Sequence, residues 1–156
     1  MITNKFNEDF YANVRDRDVW KRLSKYGVRW SFSLIDRYQN KVDWKNLSEN
    51  KNVHWTTSML EKYQDKLDWK ALSSGGCSGL FTTQNLKRFI SKWDWSELSE
   101  NSLVEWDMEK VESFKDLIDW DKLLSNGCNP DLLTLKFYMK FKEYFPNFPC
   151  KNQLAA

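Results

Sequence analysis

The sequence predicts an all-α fold, an α-solenoid of about five two-helix repeats with an N-terminal capping helix. Two motifs that repeat in step and a scarcity of helix breakers predict it. The motif Asp-Trp-x-x-Leu recurs every 25 or 26 residues, beginning at Asp43, Asp68, Asp94 and Asp119. A second motif, an aromatic residue followed by Ser, Thr or Asp, keeps the same spacing and begins at Trp30, Trp55, Phe81 and Trp106. The 156 residues contain only three Pro and five Gly, which favours helices.

The Asp-Trp motif predicts the start of a short helix in each repeat, called helix A here. Its Asp is the expected N-cap, whose carboxylate accepts hydrogen bonds from the first-turn N–H groups. The apolar residue before the Asp and the motif Leu form a hydrophobic staple. The predicted staples are Val42/Leu47, Leu67/Leu72, Trp93/Leu98 and Ile118/Leu123. A degenerate first copy lies at Trp20, with Val19 inserted after Asp18, and Ser follows the motif Leu in the first four copies.

The second motif predicts a helix B in each repeat by the same logic. The expected N-caps are Ser31, Thr56, Thr82 and Asp107. In the last repeat, Asn129 is the expected cap of a longer final helix over 130–144, with Pro130 at its first position. At the other end, Phe6, Asn7 and Tyr11 fit the staple, cap and staple partner of a lone capping helix.

These elements predict a single helical-repeat domain over 1–146 and a tail over 147–156. The repeats lie near 18–42, 43–67, 68–93, 94–118 and 119–145. A helix of two turns is not stable alone in water, because nucleation is costly. The stability must therefore come from stacking the aromatic residues of one repeat against the next.

The pattern Asp-Trp-x-x-Leu-Ser-x-Asn, a short loop, Trp-Ser/Thr and Leu-x-x-Tyr resembles a short helical repeat of uncharacterised bacterial and large-virus proteins. Residues 43–120 carry the resemblance, and 18–42 and 119–144 carry part of it. The repeat that begins at Asp68 departs from it, because Ser-Ser-Gly-Gly-Cys-Ser-Gly at 73–79 replaces the expected Glu-Asn. The resemblance implies the fold and no activity.

Catalytic and metal chemistry is not expected. One Asp per repeat, spaced by a stacking distance of about 10 Å, is too widely separated for a metal site or an acid pair, so the chain is predicted not to be an enzyme. The three cysteines are an odd number without metal-ligand spacing. They are predicted to be free thiols of a reducing compartment, and no cofactor is expected. The loop 73–79 is interpreted as a plain loop, with an anion contact as the alternative.

The sequence contains neither a long apolar run nor the basic start and apolar core of a signal peptide, which predicts a cytoplasmic protein without a membrane partner. Charge is uneven, at +4 over 1–42 and −6 over 94–118. This polarity favours a non-enzymatic protein-binding module, a small adaptor or inhibitor. The predicted partner-binding residues are Arg22, Lys25 and Arg29 in the basic part, His54 and Cys77 in loops, and Glu105 and Glu109 in the acidic repeat.

RNA binding through the basic N-terminal repeats is the alternative function. A nucleic-acid track requires a cation for each phosphate contact, and the acidic repeat 94–118 interrupts such a track. A helical repeat that reads bases would also place two or three polar side chains at regular positions in each unit, whereas the candidate positions here are irregular. The sequence leaves open which surface binds and whether the chain self-associates.

Overall fold

The computed structural model describes residues 9–26, 28–127 and 129–145, and every regular element within these ranges is helical. The predicted all-α repeat fold is confirmed. The chain divides into two compact units, unit 1 up to Leu80 and unit 2 from Phe81 onwards. The division falls directly after the glycine-rich loop 73–79. The single domain over 1–146 stays a prediction, and the tail 147–156 lies outside the described residues.

Unit 1 contains a helix, α1, whose described part covers 9–13, and five further helices. These are α2 (Arg17–Lys25), α3 (Phe32–Tyr38), α4 (Trp44–Glu49), α5 (Thr57–Tyr63) and α6 (Trp69–Ser74). The A helices α2, α4 and α6 pack on one another in chain order, which is the predicted stacking. The Tyr11 ring in α1 lies 6.2 Å from the Trp20 ring and 5.8 Å from the Tyr38 ring, so α1 covers the first repeat. The cap and staple expected at Phe6 and Asn7 lie outside the described residues.

Unit 2 continues the alternation of A and B helices. It contains α7 (Thr83–Arg88), α8 (Trp95–Glu100), α9 (Met108–Phe114), α10 (Trp120–Ser125) and α11 (Leu135–Phe141), with 3-10 turns at Pro130–Leu132 and Lys142–Tyr144. The A helices α8 and α10 pack together. Aromatic side chains close the last repeat, since the Trp120 ring lies 5.1 Å from the Tyr144 ring and 5.5 Å from the Phe141 ring.

The predicted N-caps are confirmed at eight helix starts. Their side chains accept a hydrogen bond from the third helical N–H at Ser31, Asp43, Thr56, Asp68, Thr82, Asp94, Asp107 and Asp119. The prediction for the last helix is wrong. Asn129 makes no cap hydrogen bond, because Pro130 opens a short 3-10 turn instead of a helix. Thr134 caps α11 and accepts from Phe137 N–H at 3.2 Å.

The two motif aromatics have different environments. The aromatic residues of the second motif, such as Trp30 and Trp106, are buried, whereas the Asp-Trp tryptophans are half-buried. Each of the latter donates its indole N–H to a carbonyl near the end of the preceding B helix, as Trp44 does to Gln39 at 3.0 Å and Trp69 to Gln64 at 2.8 Å. The half-buried tryptophans therefore tie helix B of one repeat to helix A of the next.

The serine after the motif Leu is the second tie between repeats. The Ser48 hydroxyl donates to the Trp44 carbonyl at 2.7 Å and accepts from Asp68 N–H, in the next repeat, at 3.1 Å. Ser24 makes the equivalent bonds in unit 1, and Ser99 makes them in unit 2. All three serines are fully buried. The fifth copy has Leu124 at this position, where no further described Asp-Trp motif follows.

Candidate functional site

An open groove of about 910 Å³ lies between two successive loops of unit 1, those that lead into the B helices α3 and α5. We call it the cationic groove. Its lining residues are Val28, Arg29, Trp30, Ser31, Phe32, Lys51, Asn52, His54, Thr56 and Met59. The first five come from the loop and start of α3, and the other five come from the equivalent segment of the next repeat. The groove is therefore a product of the repeat geometry.

The local sequence explains why charged side chains face the groove. In the loop before α5, Val53 and Trp55 are buried and His54 between them is exposed, as expected for an extended segment packed on one side. The backbone N–H of Trp55 donates to the Val53 carbonyl at 3.1 Å, and the backbone N–H of Val53 donates to the Asn50 carbonyl at 3.2 Å. These two bonds fix the loop. Val28, Arg29 and Trp30 repeat the same burial pattern one repeat earlier.

The ionisable side chains that line the groove are all basic. Arg29, Lys51 and His54 line it, and its described lining contains no Asp or Glu. The ion pairs found among the described residues of unit 1 involve other lysines. Lys25 lies 3.4 Å from Glu49, and this hydrogen-bonded pairing raises the pKa of Lys25. Within the part of the chain that the structure describes, none of these ion pairs involves Arg29, Lys51 or His54.

Apolar side chains complete the groove. Phe32 is 45% exposed, and Met59 is buried at the groove wall. The Lys62 ammonium lies 5.0 Å from the centre of the Phe32 ring, and the Tyr63 ring lies 6.1 Å from it. A groove with exposed apolar surface beside cations suits a ligand that carries both acidic and apolar groups.

A polar cluster holds the two B helices of the groove in register. Asp36 of α3 accepts from the Lys62 ammonium at 2.6 Å and from the Tyr63 hydroxyl at 3.0 Å, and both donors belong to α5. The bond from Lys62, and then that from Tyr63, lowers the pKa of the Asp36 carboxyl. Burial, followed by the contact with Asp36, raises the pKa of Tyr63 to about 12. The groove walls are therefore cross-linked rather than free to slide.

A smaller concavity of about 470 Å³ lies elsewhere in unit 1. Arg15, Arg17, Lys21 and Lys41 line it together with Asp43, the N-cap of α4. Lys41 is already engaged, because its ammonium lies 3.1 Å from the Ala12 carbonyl. Unit 1 as a whole carries 14 Lys and Arg against 10 Asp and Glu, a formal charge of +4.

The structure brings together two of the seven predicted partner-binding residues, Arg29 and His54, in the cationic groove. Arg22 is exposed on α2, and Lys25 is half-buried beside Glu49. Glu105 and Glu109 are exposed at the start of α9 in unit 2. Sequence reasoning missed Lys51 and Phe32. A signal for both existed, because they flank the second motif in the repeats that supply Arg29 and His54.

Cys77 is not at the exposed loop position expected for it. It is 6% exposed, and burial raises the pKa of its thiol, an effect that a backbone hydrogen bond from Trp55 opposes. Gly75 in the same loop takes the repeat position occupied by Asn50 and Asn101. A Cβ on Gly75 would lie 3.1 Å from the Glu49 carbonyl oxygen, which explains why a residue without a side chain is found there.

The described residues contain no group of three His, Cys, Asp or Glu side chains placed to hold a metal ion, and no helix there is long and apolar enough to span a membrane. No protein-family model, curated protein or solved structure matches the chain. The resemblance to the short Asp-Trp repeat of bacterial and large-virus proteins stays a prediction.

Proposed function

We propose that this chain is a non-enzymatic protein-binding repeat module, acting as a small adaptor or inhibitor in the cytoplasm. The partner segment that it binds in the cationic groove is acidic and carries at least one apolar side chain. The observation that supports this proposal is the lining of the groove, with three basic side chains, no acidic one and an exposed Phe32. Electrostatic complementarity of this kind steers association and selects the partner.

The rigidity of the groove strengthens the proposal. Its cations sit on loops that are anchored by buried residues on both sides, and the two helices behind it are cross-linked through Asp36. A site that is already ordered loses little conformational entropy when its ligand binds. Affinity in the micromolar range, about −8 kcal/mol, is therefore within reach of a short peptide.

RNA binding remains the second candidate, and the basic concavity at Arg15, Arg17 and Lys21 favours it, because unit 1 then offers cations in two places. Two features make the protein partner the better interpretation. Single-stranded nucleic acid binds by base stacking on open aromatic faces, and the ring of Phe32, the most exposed aromatic of the groove, already has Lys62 over it. The buried Met59 gives the groove wall apolar rather than stacking character.

Fluorescence anisotropy with three labelled probes tests the proposal. The probes are an acidic peptide with a central Leu, the same peptide with every Glu replaced by Gln, and an oligouridine of similar length. The acidic peptide is expected to bind, and the Gln peptide is expected to bind about tenfold more weakly or not at all. Raising the salt from roughly 0.05 M to 0.2 M should weaken binding moderately, since exposed charges are screened.

A matched pair of variants locates the site. Arg29→Gln/Lys51→Gln removes two groove cations, and Arg22→Gln/Lys21→Gln removes two exposed cations of α2 that do not line the groove. Only the first pair should weaken binding of the acidic peptide by about tenfold. Equal losses of peptide binding in both pairs would refute the groove as the binding site. Preferential binding of oligouridine with a steep salt dependence would refute the protein-binding proposal and support the RNA alternative.

A further inference from the structure

Unit 2 contains a surface that is the electrostatic counterpart of the cationic groove. Glu105, Asp107 and Glu109 occur within five residues at the start of α9, and all three are exposed. We call them the acidic loop. The ion pairs found among the described residues include none of the three. Lys110 lies against the acidic loop, is 8% exposed and donates to the Glu105 backbone carbonyl at 2.6 Å.

Apolar side chains also lie beside the acids of the acidic loop. Leu103 lies two residues before Glu105, and Met108 lies between Asp107 and Glu109. Both are half-buried, so each presents part of its surface. The loop is ordered in the same way as the groove loops, because the backbone N–H of Trp106 donates to the Val104 carbonyl at 3.0 Å and Asp107 caps α9. An ordered segment with acids beside apolar groups has the properties proposed above for the ligand of the groove.

We infer that this chain self-associates, with the acidic loop of one copy in the cationic groove of another. The inference rests on the proposed function of the groove and names a second copy of the chain as its partner. Each copy carries both surfaces, so the contact is heterologous, and a copy bound through its groove still offers its acidic loop. The formal charge of +2 over 156 residues permits close approach of two copies, because it leaves little overall repulsion.

Complementary neutral variants test this contact by sedimentation at roughly 0.05 M salt. Arg29→Gln/Lys51→Gln removes two of the three basic side chains of the groove, and Glu105→Gln/Glu109→Gln removes two of the three acids of the acidic loop. The weight-average mass of the wild-type chain is expected to increase with concentration, and each variant alone is expected to stay monomeric. An equimolar mixture of the two variants should associate again but stop at twice the mass of one chain, since only one intact groove and one intact loop can pair.

The peptide titration separates a failure of this inference from a failure of the proposed function. A wild-type chain that binds the acidic peptide but stays monomeric at all concentrations overturns the self-association and leaves the proposed function standing. Variants that associate like the wild type, or a mixture that stays monomeric while the wild type associates, show that another surface joins the copies and overturn it equally. If the acidic peptide also fails to bind, both proposals are wrong. Far-UV circular dichroism checks that the variants, all changed at exposed residues, remain folded.

Discussion

The loops that lead into α5 in unit 1 and α9 in unit 2 have the same backbone and opposite charge. In both loops, a buried Val and a buried Trp flank one exposed residue. The backbone N–H of the Trp donates to the Val carbonyl, at 3.1 Å in the loop before α5 and at 3.0 Å in the loop before α9. The exposed residue is His54 in unit 1 and Glu105 in unit 2. The comparison indicates that the buried Val and Trp are kept in both loops, while the exposed residue between them differs in charge.

If the core is equivalent in the two units, truncation at equivalent positions should be equally damaging. Leu47 and Leu98 are the motif leucines of α4 and α8, and neither is exposed to solvent. Leu47→Ala and Leu98→Ala are each expected to lower the free energy of unfolding by about 2–5 kcal/mol, through lost burial and a residual cavity. Urea melts followed by tryptophan fluorescence give both values. A cost below about 1 kcal/mol for one of them would show that the two cores are not equivalent.

The buried serines should come next in size. Ser48→Ala removes the acceptor of Asp68 N–H and is expected to cost about 1–3 kcal/mol, because a buried donor is left without a partner. Ser125→Ala is the matched control. Its hydroxyl also bonds to a carbonyl four residues earlier, at 2.8 Å, but the residue is exposed. Equal melting curves for the two variants would contradict the role assigned to serine as a tie between repeats.

Acid should weaken the groove walls through Asp36. Because Lys62 and Tyr63 lower its pKa in the folded chain, the carboxylate stabilises the fold above the unfolded pKa of about 3.9, and this contribution is lost as pH falls through the lower folded value. Melting temperatures from pH 7 down to about pH 3 should therefore fall less steeply for Asp36→Asn than for the wild type. Glu112, whose pKa is lowered by Lys115 and Lys140, is the equivalent position in unit 2. A wild-type pH dependence in Asp36→Asn would show that the ion pair is not formed in solution.

The smallest effect on stability is expected at the exposed loop positions. His54→Glu and Glu105→His exchange the two residues that differ most between the loops, and each should change the free energy of unfolding by less than about 0.5 kcal/mol. The same changes should alter binding, since His54→Glu places an acid in the cationic groove. A large loss of stability in either variant, measured in the same urea melts, would mean that this position is not free to vary.

Sequence reasoning predicted most of the fold because the repeat encodes it locally. Asp43 and Thr56 identify their helix starts through cap chemistry, which depends on neighbours only three residues away. The repeated occurrence of Ser after the motif Leu was visible as well, but not its role, because the second hydrogen bond of Ser48 reaches Asp68 in the next repeat. Asn129 misled because Asn before Pro suits a 3-10 turn as well as a helix start.

The candidate site was only partly predictable, for a related reason. Arg29 and His54 could be chosen as exposed charged residues, but their common groove depends on how two repeats stack. Lys51 lies near the second motif in the sequence, but the stacking of the two repeats is what places it in the same groove. Cys77 was misplaced because its loop position was expected to be exposed, whereas it is buried, in a loop where Gly75 lies close to the Glu49 backbone.

Amide chemical-shift mapping of the full chain during titration with the acidic peptide tests the central claim most directly. The account predicts that saturable shifts concentrate in residues 28–32 and 51–59, around Arg29 and His54, and that they disappear in Arg29→Gln/Lys51→Gln. Shifts centred on other residues of the chain, or shifts that survive in this variant, would contradict the assignment of the cationic groove as the binding site.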